Sequence, residues 1–138
     1  MANPEWENYD PYPHNKGDLI YLATPYTHVD KTVMVDRFNR VNKVAAKIME
    51  QGKYVFSPIS HTHPIAEAGV LPRGWDFWSD YDRVMISRCT CLYVLMIDGW
   101  KESKGVQAEI ELAKHYDLPV VYIDEDLVIE EIVCDYTK

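Results

Sequence analysis

Apolar residues fall into short unbroken runs that alternate with longer segments of helical periodicity. Four such runs predict strands, at residues 19–23, 54–56, 91–97 and 119–123. Between them, apolar residues recur every three or four positions, which predicts helices over about 31–51, 74–88 and 104–117. Strands that alternate with helices predict an α/β fold. We expect a single three-layer domain with a flavodoxin- or Rossmann-like parallel sheet of four to five strands and helices on both faces.

Three segments lack this organisation. Residues 1–17 contain three of the eight prolines and are predicted to form an irregular N-terminal arm. Residues 57–73 contain three more and are predicted to form a polar loop. Residues 125–138 are predicted to be an acidic C-terminal tail, in which a few apolar residues indicate a short terminal helix. The α/β domain itself is therefore predicted over residues 18–124.

Polar loops follow three of the predicted strands. These loops are residues 24–30, 57–73 and 98–105. The carboxyl ends of parallel strands lie at one edge of the sheet, and open α/β sheets bind their ligands there. The sequence therefore predicts a ligand site formed by these three loops.

Composition and charge narrow the possible partners. The 138-residue chain has 14 basic and 22 acidic residues and a net charge of −8, which disfavours nucleic acid or an anionic membrane as a partner. It has no apolar run long enough to span a membrane and no secretory signal pattern. Three cysteines, an odd number, argue against a disulfide framework and favour a cytoplasmic location. We also expect a homo-oligomer, in which the arm and the tail are plausible elements for exchange between subunits.

The segment from Ser103 to Glu109 is the strongest candidate for chemistry. Gly105 lies in a turn that leads from a predicted buried strand into a helix. The free N–H groups at a helix N-terminus can hold an anionic or hydroxyl-rich ligand, and we expect them to keep Glu109 ionised. An ionised carboxylate beside a polar pocket is a candidate nucleophile in sugar chemistry. The alternative is a surface charge on an amphipathic helix.

Two further residues could assist such a carboxylate. Asp82 lies in the middle of the second predicted helix, where an exposed acid is the simpler interpretation. Tyr21 belongs to the first predicted strand and is either a core tyrosine or a hydroxyl donor that orients a nearby carboxylate.

The residue pairs His61 with His63 and Cys89 with Cys91 have a spacing that could chelate zinc. Cys91 begins a predicted core strand, where a free cysteine is a routine small hydrophobic residue. His61 is better explained as a hydrogen-bond partner for a ligand. We therefore expect neither a metal nor a cofactor.

Four motifs, in the same order, resemble those of the nucleoside 2-deoxyribosyltransferase superfamily. They are Ile20-Tyr21-Leu22-Ala23-Thr24-Pro25-Tyr26, Val55-Phe56-Ser57-Pro58, Asp82, and Ser103-x-Gly105-x-x-x-Glu109. The resemblance spans about residues 19–123. It is closest to a small uncharacterised branch with the signature Asp98-Gly99-Trp100-x-x-Ser-x-Gly.

The resemblance implies a mechanism at the N-glycosidic bond of a small-molecule nucleoside or nucleotide. Glu109 would attack the anomeric carbon and form a covalent glycosyl-enzyme. Asp82 would protonate the leaving base and then activate the incoming water or base. Tyr21 would hold the Glu109 carboxylate in line. His61 would lie near the base, and the pocket would be lined by Thr24, Pro25 and Tyr26.

Two departures from the superfamily pattern leave the substrate open. The transferases commonly have aspartate where this chain has Ser103, and a serine there is similar to hydrolases of nucleoside 5′-monophosphates. Thr24 replaces a glycine or serine and would narrow the pocket. Hydrolysis of a monophosphate and base exchange on a deoxynucleoside both remain open. A non-catalytic nucleotide-binding or sensing domain on the same fold is the alternative function, and an unrelated flavodoxin-like interaction module is a third.

Overall fold

The computed structural model describes residues 17–72 and 74–136, which form one α/β domain. The predicted N-terminal arm lies almost wholly outside these residues. The strands are β1 (Leu19–Ala23), β2 (Tyr54–Phe56), β3 (Cys91–Leu95), β4 (Val120–Ile123) and β5 (Ile129–Val133). The helices are α1 (Lys31–Glu50), α2 (Pro58–Gly69), α3 (Trp75–Arg88) and α4 (Lys104–His115).

One five-stranded sheet has the order β2-β1-β3-β4-β5. The first four strands in that order are parallel, and β5 pairs antiparallel with β4. The predicted α/β class and the parallel sheet with helices on both faces are therefore confirmed. The four strands and three helices predicted over residues 18–124 are present, with bounds within two residues of those observed.

Alternating side chains on the strands build two hydrophobic clusters, one on each face of the sheet. Ile20 and Leu22 of β1 pack with Val41, Val44 and other buried residues of α1 on one face. On the other face, Tyr21 and Ala23 of β1 pack with the buried residues of α3 and α4. Strands buried on both faces read as continuous apolar runs, which is why the sequence located them.

Helix α2 corrects the prediction that residues 57–73 are a polar loop. Ser57 caps the helix, and Pro58 occupies the first turn. A proline is tolerated there because backbone N–H groups in the first turn make no hydrogen bond within the helix. Pro64 removes one hydrogen bond from the helix interior. Thr62 and Ala66 are nevertheless buried, so tertiary packing retains a helix that proline-based reasoning had excluded.

Strand β5 shows that the predicted short terminal helix is wrong. Its sequence, Ile-Glu-Glu-Ile-Val, has apolar residues at helical spacing, but the side chains are mostly exposed. Main-chain pairing with β4 therefore determines its conformation, and the sheet extends beyond residue 124. No helix within residues 17–72 and 74–136 combines the length and apolar character needed to cross a bilayer.

Candidate active site

A cavity of about 340 Å³ opens at the carboxyl edge of the sheet. Its wall is formed by the loop after β1, one face of α2, the N-terminal half of α3, and residues 102–109 at the start of α4. The volume is in the range of pockets that hold small molecules. The three loops predicted to form a ligand site thus each contribute to this wall.

Two carboxyl groups and a tyrosine hydroxyl meet at the inner end of this cavity. Glu109 and Asp82 both line it, and their exposed fractions are only 4% and 9%. Tyr21 is fully buried behind them, and its hydroxyl donates a hydrogen bond to Glu109 Oε2. Glu109 lies on the buried stripe of α4 and Asp82 on that of α3. Tyr21 reaches both because it points to the sheet face that these helices cover.

Burial dominates the electrostatics of this group. It raises the pKa of Asp82 to about 7. It also raises the pKa of Glu109 well above the usual range, and the charge of Asp82 adds to that shift. The Tyr21 hydroxyl opposes the pKa shift at both carboxyls. Two carboxylates in one buried site do not readily both ionise, so the pair retains a proton near neutral pH.

The pKa of Tyr21 is itself raised well above 10, by burial and by the two carboxyls, so its hydroxyl stays protonated and serves as a donor. The expectation that the helix N-terminus keeps Glu109 ionised is wrong. Glu109 is the sixth residue of α4, beyond the first turn to which the helix dipole effect is confined, and burial outweighs that effect.

The N-terminus of α4 forms another part of the cavity wall. Ser103 is the N-cap, and its Oγ accepts a hydrogen bond of 3.2 Å from the N–H of Val106. Ser103, Lys104 and Gly105 all line the cavity. A Cβ added at Gly105 would lie 3.6 Å from the Trp75 ring, an ordinary contact, so packing alone does not require glycine there.

Arg37 of α1 ties two of the loops together. Its guanidinium donates to the backbone carbonyls of Tyr26 and Thr27 after β1, and to that of Asp98 after β3. Gly99 has φ of +94°, and a Cβ there would lie 2.5 Å from the Arg37 guanidinium. The positive φ therefore favours glycine at position 99, and the flexible end of Arg37 would also have to shift to accommodate a Cβ there.

The predicted binding residues divide into two groups. Thr24 and Tyr26 line the cavity together with Ser103 and Gly105, whereas Pro25 and His61 are not part of the lining. His61 lies on an exposed part of α2, and the centroid of its ring is 6.5 Å from that of the Tyr81 ring on α3. The binding roles of all six residues stay predictions.

His63, rather than His61, faces the cavity. Its ring stacks on Phe38 with centroids 4.4 Å apart, and its Nδ1 hydrogen bonds to the Tyr26 hydroxyl. In an extended loop both histidines would share a side, but in a helix residues two apart point in different directions. The signal that identifies this face is helical spacing. The cavity-facing residues of α2 are Pro58, Ile59, Thr62, His63 and Ala66.

Sequence reasoning also missed the aromatic wall on α3. Trp75 and Trp78 line the cavity at positions i and i+3 relative to Asp82 at i+7, so all three share one helix face. Trp78 is oriented by a hydrogen bond of 2.7 Å from its Nε1 to the carbonyl of Pro72. A flat apolar surface therefore adjoins the buried acid.

The cysteine and histidine pairs do not assemble a metal site. Cys89 and Cys91 are buried thiols, and burial raises the pKa of each to about 11. Across residues 17–72 and 74–136, no three His, Cys, Asp or Glu side chains are grouped so that they could hold a metal ion.

Comparison with known families assigns the chain to one of them. A family model described as "Domain of unknown function (DUF1937)" matches residues 18–125. The chain belongs to this family. A comparison of this DUF1937 protein with curated proteins finds no match.

Two solved structures resemble this DUF1937 domain. The solution structure of BlsM has a TM-score of 0.54 at 16% identity, covering 78% of this chain and 64% of BlsM. A 2-deoxyribosyltransferase from the psychrotolerant bacterium Bacillus psychrosaccharolyticus has a TM-score of 0.49 at 19% identity, covering 83% of this chain and 76% of that enzyme. The chain thus spans less than two thirds of BlsM. At 16% identity the likeness to BlsM extends to the fold alone, and the expected resemblance to the nucleoside 2-deoxyribosyltransferase superfamily stays a resemblance of fold.

Proposed function

We propose that this DUF1937 protein cleaves or transfers at the N-glycosidic bond of a nucleoside or its 5′-monophosphate. The observation that carries the proposal is the buried group of Glu109, Asp82 and Tyr21 on the wall of the cavity. Simple ligand binding gains nothing from two buried acids, because each is costly to ionise. Glycosidic chemistry needs such a pair, with one acid ionised and one protonated.

In the first step, Glu109 attacks C1′ while the bond from C1′ to the base nitrogen breaks. This step requires the form of the pair in which Glu109 is ionised and Asp82 carries the shared proton. The hydrogen bond from the Tyr21 hydroxyl stabilises the Glu109 carboxylate against the rise in pKa that burial and Asp82 cause. Asp82 gives that proton to the departing base. The carboxylate of Glu109 both stabilises the oxocarbenium-like transition state and forms the covalent ester to C1′.

In the second step, Asp82 accepts a proton from water or from a second base, which attacks C1′ and releases Glu109. Water gives hydrolysis and a second base gives exchange. The aromatic wall of Trp75 and Trp78 next to Asp82 is suited to stack a nucleobase. This position would bring the base nitrogen to the acid that protonates it.

The surroundings of Ser103 favour a 5′-monophosphate as the substrate. Hydroxyl and helix N-terminal N–H donors suit a phosphate, whereas an aspartate at position 103 would repel it. Lys104 lines the same end of the cavity and adds a positive charge, although it also lies 3.6 Å from Asp76. Phosphate and exposed Asp76 would compete for this ammonium group.

The test is incubation with a panel of nucleosides and 5′-monophosphates, with and without a second free base, followed by chromatography. We expect free base and sugar, or exchanged nucleoside, from the wild-type protein and none from Glu109→Gln. Glu111→Gln is the matched control, because Glu111 is an exposed acid two residues further along the same helix. Mass spectrometry of quenched reactions should show a glycosyl adduct that Glu109→Gln lacks. Binding without turnover would instead support a nucleotide-binding or sensing domain, and turnover by Glu109→Gln would remove Glu109 from the mechanism.

A further inference from the structure

The hydroxyl of Thr24 is buried and has no hydrogen-bond partner in the described part of the chain. Thr24 follows β1 directly, is only 4% exposed and lines the cavity. Of the buried side-chain oxygen and nitrogen atoms in the described residues, only Thr24 Oγ1 has no hydrogen bond to a protein group. A buried hydroxyl without a hydrogen bond is unfavourable, because it has lost its bonds to water and gained none in the protein. Such a group in a cavity wall is explained if a ligand supplies the missing bond.

A second buried threonine in the same wall shows the contrast. Thr62 is 8% exposed, but its hydroxyl donates to the carbonyl of Pro58 at 2.8 Å, within its own helix. Both threonines line one cavity, so burial alone does not leave a hydroxyl unpaired there. The unpaired state is particular to Thr24.

The position of Thr24 indicates which part of a substrate it meets. Tyr21, three residues earlier on the same chain segment, holds the Glu109 carboxylate. Three residues of extended chain span at most about 10 Å, so Thr24 lies within about that distance of Tyr21, the residue that holds Glu109. The aromatic wall suited to a base, Trp75 and Trp78, is on α3 instead. The group next to Glu109 in the proposed reaction is the pentose.

We propose that the Thr24 hydroxyl hydrogen bonds to a hydroxyl of the pentose and thereby selects substrates by their sugar. The inference rests on the proposed function. A hydroxyl group can donate and accept at once, which matches a sugar hydroxyl. Sites built to bond a substrate hydroxyl discriminate against analogues that lack it, because the protein group is then left unpaired.

The test compares Thr24→Val with Thr62→Val, each in a Glu109→Gln background so that ligands are not consumed. The ligands are adenosine and cytidine 5′-monophosphates, each with its 2′-deoxy and 3′-deoxy analogues, and dissociation constants are measured by calorimetry. In the background protein, loss of the recognised sugar hydroxyl should weaken binding roughly tenfold. Thr24→Val should reduce this ratio to less than about twofold, whereas Thr62→Val should retain it.

Unfolding in urea without ligand gives an independent readout. Thr24→Val removes an unpaired hydroxyl and should leave the unfolding midpoint unchanged or raised, whereas Thr62→Val removes a formed hydrogen bond and should lower it. Equal lowering by both substitutions would overturn the inference. The inference would also be overturned if the ligands bind but Thr24→Val leaves the ratio of dissociation constants between deoxy analogue and parent ligand unchanged. In that case the proposed function would still stand. Absence of binding by every ligand in the panel would overturn both proposals.

Discussion

Replacing Asp82 by asparagine should change how the stability of the protein depends on pH. Burial raises the pKa of Asp82 from 3.8 to about 7 in the folded protein. Between these values the unfolded chain releases the Asp82 proton and the folded protein keeps it. The folded state then binds more protons than the unfolded state, so stability falls as pH rises through this window. The loss is absent below about pH 4 and complete above about pH 7.

The size of the effect follows from the width of the window. Each pKa unit of difference corresponds to about 1.36 kcal/mol. At pH 5 the unfolded carboxyl is already ionised, so about two units of the window remain up to pH 7. The free energy of unfolding of the wild-type protein should therefore lose roughly 2–3 kcal/mol through Asp82 between pH 5 and pH 8. Asp82→Asn has no proton to release and should lack this decrease.

Urea unfolding followed by circular dichroism at pH 5, 6, 7 and 8 measures the difference. Asp80→Asn is the matched control, because it makes the same substitution two residues earlier on α3, where the side chain is 90% exposed and paired with Arg83. We expect Asp80→Asn to follow the wild-type curve and Asp82→Asn to be flatter and more stable at pH 8. Parallel curves for all three proteins would refute the reasoning, because Asp82 would then not be held protonated by burial.

Three further outcomes follow from the site. Tyr21→Phe removes the hydroxyl that lowers the pKa of Glu109, so the acidic limb of the kcat/KM pH profile should move to higher pH. An unmoved limb would count against this hydrogen bond. Ser103→Asp keeps a good helix cap, so Tm should hold, but KM should rise at least about tenfold more for a monophosphate than for the free nucleoside. The reverse order would favour the transferase alternative. Arg37→Met removes hydrogen-bond donors to the loops after β1 and β3. It should lower the free energy of unfolding by about 1–2 kcal/mol and raise KM more than it lowers kcat. Unchanged stability would show that these loops keep their conformation without Arg37.

The sequence by itself determined the helices and strands whose signals are local. The cap of α1 is an example, since Asp30 accepts from the N–H of Thr32 only two residues away. The cap of α4 is another, because Ser103 bonds Val106. Buried parallel strands can likewise be recognised in the sequence, because they form unbroken apolar runs. The alternation of these elements was sufficient to predict the fold and the edge that holds the cavity.

Tertiary structure decided where local signals conflict. The prolines of residues 57–73 indicate a loop, yet burial of Thr62 and Ala66 stabilises a helix there. That helix directs His63, and not His61, to the cavity. The spacing of apolar residues in β5 indicates a helix, yet the free edge of β4 offers main-chain hydrogen bonds that make a strand. In each segment contacts with distant residues outweigh a weak local preference.

The chemical state of the acids was also beyond the reach of sequence. The motif around Glu109 drew attention to the residue, but the local helix N-terminus predicted an ionised carboxylate. Its pKa depends instead on burial, on Asp82 and on Tyr21, which is 88 residues away along the chain. The helix period and the cap are set within a few residues, whereas solvent exclusion arises only when the sheet and helices pack. A sequence therefore identifies which residues can react, and the packed fold determines their protonation.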